Sequence, residues 1–200
     1  MKFGKLRYNP SMNKITSIIL ILFLSLLSSP SWSETLSIED LFYNIVSSKE
    51  LYYKKSSRQL FTGEISGSWN GNFKEGKKEG LFTIYYENGM LHSKEYFKNG
   101  ERNGSIEHYN SNGKLLRRGS FKNGVLHGFW EDFDGNGTLL NVGNYDNGKN
   151  DGFWKRFYRN GQLQEKGVYI NDKKDGVWEH YYSDGTPMKN VTWKNGVKQE

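Results

Sequence analysis

The sequence predicts an all-β repeat, an elongated antiparallel β-meander of 24-residue hairpin units. Three observations carry this. First, the chain repeats every 24 residues without an insertion from Phe73 onward: full units open at Phe73, Phe97, Phe121, Tyr145 and Tyr169, and a sixth is cut short at Trp193. Second, each unit holds two Asn-Gly-type turn signals between β-rich runs. Third, the chain is rich in aromatics and glycine, with 6 Trp, 13 Tyr, 12 Phe and 23 Gly against 3 Pro, which suits hairpins and tight turns better than a thick aliphatic core. A fixed period of this length marks an architecture in which each unit packs on its neighbours. Stacked like units make surfaces well and assemble a single catalytic pocket poorly.

The N-terminal segment, residues 1–33, reads as a signal peptide. Lys2, Lys5, Arg7 and Lys14 make a basic start, Ile15 to Leu27 form an uncharged apolar run, and small residues follow at Ser31 and Ser33. The run is short for a membrane span, which needs roughly 20 apolar residues. Cleavage is expected after Ser33, leaving Glu34 first, with export to the periplasm or beyond the cell. Met12 is an alternative start to Met1. Without the four basic residues of this segment, 24 Lys and Arg face 22 Asp and Glu. The net charge of +6 thus falls to about +2, which argues against nucleic acid as a partner. The chain has no cysteine, which excludes disulfides and thiol chemistry.

Residues 34–50 are expected to form a short capping helix over about 38–50. Ile38, Leu41, Phe42, Ile45 and Val46 fall on one helical face, and Ser37 with Asp40 resembles a capping box. Its role would be to cover the first strand edge. Residues 51–72 read as a degenerate first repeat.

Residues 73–200 are the repeats proper. Counting each unit from its opening aromatic, position 10 is Phe82, Ile106, Trp130, Trp154 and Trp178. Asn-Gly or Asp-Gly at positions 16–17 (Asn88-Gly89 in the first unit, Asp184-Gly185 in the last) sits between two strands as a tight turn with positive φ. A second turn at positions 3–4 is expected to be wider. Gly119, Gly143 and Gly167 at position 23 lie inside strands, where a glycine marks close packing on the backbone. A cross-strand Trp or Tyr from position 10 or 13 is its natural occupant.

These motifs resemble the bacterial MORN repeat variant family, whose best-known members are described as YwqK-type antitoxins. The matching residues are aromatic-Lys-Asn-Gly at Phe97–Gly100 and Phe121–Gly124, Gly-Phe-Trp at Gly128–Trp130 and Gly152–Trp154, and Tyr-Tyr-x-Asn/Asp-Gly at Tyr85–Gly89 and Tyr181–Gly185. The resemblance implies a β-meander and protein binding, in some members as the neutralising partner of a toxin. It implies no catalytic residue and no cofactor.

Residues that could carry chemistry read as sheet surface. His108 and His180 share position 12 but lie three units apart, too far to share a metal; both are expected to face solvent. Glu131, Asp132 and Glu179 read as exposed strand carboxylates rather than a glycosidase pair. Asp132 to Gly137 reads as a hairpin turn rather than a calcium loop.

No enzyme is expected. The function read from the sequence is an exported, non-enzymatic repeat protein that binds another protein, an antitoxin- or immunity-like role with a toxin or envelope protein as partner. The alternative is a glycan- or envelope-polymer-binding module that stacks exposed aromatics on sugar rings. The candidate interaction surface is Trp130, Trp154, Trp178, Tyr86, Tyr158 and Tyr182. Whether the three tryptophans are buried on position-23 glycines or lie open in a row separates the two readings.

Overall fold

The computed structural model describes residues 34–200, so the signal segment lies outside the described residues. The strands are β1 (Glu34–Leu36), β2 (Leu41–Val46), β3 (Lys49–Lys54), β4 (Gly63–Ile65), β5 (Trp69–Lys74), β6 (Lys77–Tyr85), β7 (Leu91–Lys98), β8 (Glu101–Tyr109) and β9 (Leu115–Lys122). They continue with β10 (Val125–Leu126), β11 (Gly128–Phe133), β12 (Leu139–Asp146), β13 (Lys149–Asn150), β14 (Gly152–Phe157), β15 (Leu163–Ile170), β16 (Lys173–His180), β17 (Val191–Lys194) and β18 (Val197–Lys198). All but β2 and β3 join one 16-stranded sheet in which neighbours in sequence are neighbours in space from β4 onward. The meander is antiparallel throughout except at its start, where β1 pairs in parallel with β4.

The two turns of each unit are the reverse of the expectation. The tight one is at positions 3–4: Lys98 pairs with Glu101, and both residues between them have positive φ, Asn99 at 52° and Gly100 at 85°. The same pairs recur at Asn123-Gly124, Asn147-Gly148, Asn171-Asp172 and Asn195-Gly196. The turn at positions 16–17 is longer. The Gly89 amide donates to the Tyr86 carbonyl (2.9 Å) and the Tyr86 amide to the Met90 carbonyl (2.8 Å). Here only the glycine takes positive φ, so Asn88 is free to cap the loop by accepting from the Met90 amide. An Asn-Gly pair serves both turn types, and its position in the sequence does not distinguish them.

The expected capping helix is not formed. Ser37 does close a capping box with Asp40, but over a single 3₁₀ turn, Ile38–Asp40. Residues 41–54 then fold into the β2–β3 hairpin. The run Leu-Phe-Tyr-Asn-Ile-Val is aromatic and β-branched, and a short apolar run fits either period. Cross-strand pairing decides it: Phe42 stacks on Tyr53 at 5.3 Å and Tyr43 meets Tyr52 at 5.7 Å. The hairpin packs apolar side chains on the start of the large sheet, while the edge of β4 is taken by β1. Leu41 and Tyr52 are buried with Phe61, Ile65, Phe73 and Phe82 in the one apolar cluster of the described residues.

Beyond that cluster, the sheet is held by an aromatic ladder on one face. Rings at positions 1 and 10 alternate edge to face: Phe73–Phe82 at 5.2 Å, Phe82–Phe97 at 5.3 Å, then, past Ile106, Phe121–Trp130, Trp130–Tyr145, Tyr145–Trp154, Trp154–Tyr169 and Tyr169–Trp178. Edge-to-face pairs are worth about 0.5–1.5 kcal/mol beyond their area burial. Repeated along the strands, they take the place of a second layer.

Candidate functional site

The ladder explains the strand glycines. The Trp130 indole lies on Gly119, Trp154 on Gly143 and Trp178 on Gly167, where an added Cβ would overlap the ring atoms. Phe82 lies on Gly71 in the same way. The one unit with Ile106 in place of a ring has Glu95 rather than glycine beneath it.

This packing corrects the candidate surface. Trp130 and Trp178 are buried, at 6% and 1% exposure, and so are not the accessible aromatics expected from the sequence. Trp154 is half-buried, its Nε1 donating to the Asn144 carbonyl at 3.0 Å. Tyr86 and Tyr158 are half-buried as well, because each ties its unit to the next: their hydroxyls donate to the carbonyls of Tyr109 (2.7 Å) and Tyr181 (2.9 Å). Tyr182, at the same position in the last full unit, is exposed.

The expected solvent-facing charges are corrected too. His108 Nε2 lies 3.0 Å from Glu95, and His180 Nδ1 lies 3.5 Å from Glu165. Both glutamates are buried. Glu95 also accepts from Arg102 at 2.6 Å, and Glu165 pairs with Lys174 (2.8 Å) and Arg156 (3.3 Å). Burial would raise the Glu95 carboxyl, but hydrogen bonds from His108 and Arg102 outweigh it and hold it at about 2. Glu131 is also buried, paired with Arg118. Glu179 sits between Lys166 and Tyr181. Each carboxylate therefore has a structural partner, and no cluster of three or more metal-ligating side chains occurs among the described residues.

The accessible apolar surface lies on the opposite face. Side chains alternate along a strand, so the neighbours of the ladder rings point the other way. Leu81, Phe129, Phe153 and Val177 at position 9 are all exposed, Phe129 at 51% and Phe153 at 48%. Tyr96 and Val168 at position 24 join them, paired with Leu81 and Phe153 respectively. Between the two phenylalanines lies a shallow hollow lined by Val142, Gly143, Asn144 and Lys155. Reading the sequence for rings alone missed this row. Strict alternation on either side of position 10 was the signal that could have found it.

No curated protein matches the chain. Among solved structures, the S. aureus TarM G117R mutant in complex with fondaparinux, alpha-GlcNAc-glycerol and UDP matches with a TM-score of 0.31 and 17% identity over 48% of this chain and 19% of that one. A second TarM crystal structure matches with a TM-score of 0.26 and 13% identity over 80% of this chain and 25% of that one. The chain thus spans at most a quarter of these proteins, and at such scores the likeness carries no functional argument. The family model described as MORN repeat variant matches residues 78–99, 102–123, 150–171 and 174–195. Each match begins at position 6 and runs through both strands and both turns to the next tight turn. In sequence, turn chemistry and period, the chain belongs to the MORN repeat variant family.

Proposed function

We propose that this protein works by binding another protein without turnover, through the sheet face opposite the aromatic ladder. The observation that carries this is the row Leu81, Tyr96, Phe129, Phe153, Val168 and Val177, exposed on one face in four of the five full units and interrupted only by Ser105 and Ser120 of the second and Asn144 of the third. A contiguous exposed apolar patch marks an interaction surface more often than a scatter of single residues does, and aromatic side chains on a rigid sheet act as anchors at low entropic cost. Burial of Trp130 and Trp178 leaves the glycan-binding alternative with one of its three tryptophans, the half-buried Trp154.

The finer reading is an exported antitoxin- or immunity-like protein whose partner is a toxin or an envelope protein. The basic, then apolar, then small-residue order of residues 1–33 supports export with Glu34 as the mature N-terminus. Mass spectrometry of the native protein checks this, and an intact Met1 or Met12 refutes it. No helix among the described residues is long and apolar enough to cross a membrane.

The binding test is affinity capture from envelope extract with the native chain and with Phe129→Glu/Phe153→Glu. Both side chains are half out in solvent, so the melting temperature should move little. A partner held by the native chain should be lost by at least tenfold. If the double variant retains the partner, the face is wrong. If instead a single His or Glu substitution abolishes activity in a folded protein, binding without turnover is wrong.

A further inference from the structure

Position 6 of the five full units is a cation in three, Leu126 in the third unit and Asn150 in the fourth, and only the fourth puts a short polar side chain there. The three cations stand over the ladder. Lys78 Nζ lies 5.9 Å from the centre of Phe82 and 5.0 Å from Phe97. The Arg102 guanidinium carbon lies 5.6 Å from Phe121. Lys174 Nζ lies 3.8 Å from Trp178 and 5.6 Å from Trp193. Lys78 and Lys174 thus bridge the ring at position 10 and the ring that opens the next unit, and Arg102 stands over the opening ring. Each has a carboxylate at hand: Glu50 for Lys78 at 3.7 Å, Glu95 for Arg102 and Glu165 for Lys174.

In the unit that opens at Tyr145, position 6 is Asn150, too short to reach over the rings. The corresponding rings, Trp154 and Tyr169, are present with centres 6.1 Å apart. A hollow of about 190 Å³ lies there, lined by the rings of Tyr145, Trp154, Tyr169 and Trp178, with Asp132, Asn150, Arg156 and Glu165 among its walls; Lys155 also borders it, but its ammonium lies over Phe153 on the opposite face. Trp154 is the only one of the three position-10 indoles left unburied. The Asn150 amide oxygen has no hydrogen-bond partner among the described residues. Arg156 is already engaged by Glu165 and Asn141. Asp132 is held only loosely, by Arg117 at 3.7 Å.

We propose that this hollow is a binding site for a ligand ammonium or guanidinium group, which takes over Trp154 and Tyr169 the place that Lys174 takes over Trp178. Its attraction has two sources: the ring faces, which favour a cation within about 6 Å, and the Asp132 carboxylate. The group comes either from a lysine or arginine side chain of a partner protein or from a free alkylamine. The site does not rest on the apolar row, because it lies on the other face of the sheet.

The test is titration of the full chain with n-butylammonium, putrescine and a hexalysine peptide, with 1-pentanol as the neutral control. The readout is the Trp154 indole N–H resonance, assigned by its loss in Trp154→Phe. The amines should shift that resonance and leave that of Trp69, which lies outside the hollow, in place, and 1-pentanol should shift neither. Asn150→Lys copies the arrangement of the last full unit, so it should stay folded, and it should weaken amine binding at least tenfold by filling the site from within. Asp132→Asn should weaken it severalfold. Hexalysine binding tenfold or more above putrescine assigns the site to a protein side chain; putrescine binding as well or better assigns it to a free amine. No response of Trp154 to any amine, an equal response to 1-pentanol, or full amine binding by folded Asn150→Lys overturns the proposal.

Discussion

Gly143 is where the sheet makes room for an indole, and Trp154 fills the space that any side chain there would take. Its φ lies outside the range that favours glycine, so the requirement is space alone. Gly143→Ala should therefore cost about 1–3 kcal/mol, the usual scale for overpacking, read as a shift in the urea midpoint. Adding Trp154→Ile should recover part of it, because Ile106 already tolerates Glu95 beneath it. If Gly143→Ala is neutral, the ring is not seated there. Glu95 gives the second test at this scale. Its folded value near 2 lies below the ordinary 4.5, so its contribution is full above about pH 4.5 and is lost as pH falls toward 2. Wild-type stability should fall across that window, and the Glu95→Gln profile should be flatter there; parallel profiles would show that the carboxylate is not the titrating group. The glycine packing was legible in the sequence, since a strand glycine needs a reason. The burial of Trp130 and Trp178 was not. Nothing in a 24-residue period says which face of a single sheet is covered by its own rings.

Among the elements, the two turns of a unit look alike in sequence and differ in strain. Asn123 has a φ of 50°, whereas Asn136 does not enter that region. Left-handed backbone costs most non-glycine residues roughly 1–2 kcal/mol, and asparagine less. Asn123→Ala should thus destabilise by about 1 kcal/mol and Asn136→Ala by less than half of that, measured by thermal or urea unfolding; equal effects would contradict the turn assignment. The existence of both turns was readable, and their types were not, because type depends on how many residues separate the last paired positions. The N-terminal hairpin was hidden for a related reason. Ile38, Leu41, Phe42, Ile45 and Val46 satisfy a helical face, but what settles residues 41–46 is a partner strand, and Tyr52 and Tyr53 come ten residues later.

At the scale of the whole sheet, units are interchangeable only where their contacts match. Deleting 121–144 joins Ser120 to Tyr145 and sets Gly119 beneath Trp154, a pairing the fold already uses. Arg117 then faces Arg156 in place of Asp132, an exposed pair whose repulsion is small. Deleting 97–120 removes one unit as well, but sets Glu95 beneath Trp130 and strips it of Arg102 and His108. An unpaired buried carboxylate costs about 3–5 kcal/mol. The second deletion should melt about 10 °C or more below the first, and equal melting temperatures would show that the Trp–Gly pairing carries no weight. The family period made such deletions conceivable from sequence; only the contacts tell them apart. Successive units are also linked outside their paired strands. The Asn99, Asn171 and Asn195 amides donate to carboxylates of Glu79, Asp151 and Asp175 twenty residues earlier, and Tyr86 and Tyr158 reach forward at the other end. Because the strands run across the direction in which units follow one another, tension applied between residues 34 and 200 loads these links in sequence rather than together. Under load the sheet should yield by unzipping, one hairpin at a time, each step releasing about 80 Å of chain at modest force: a molecule that lengthens in instalments and can re-form unit by unit when the pull is released.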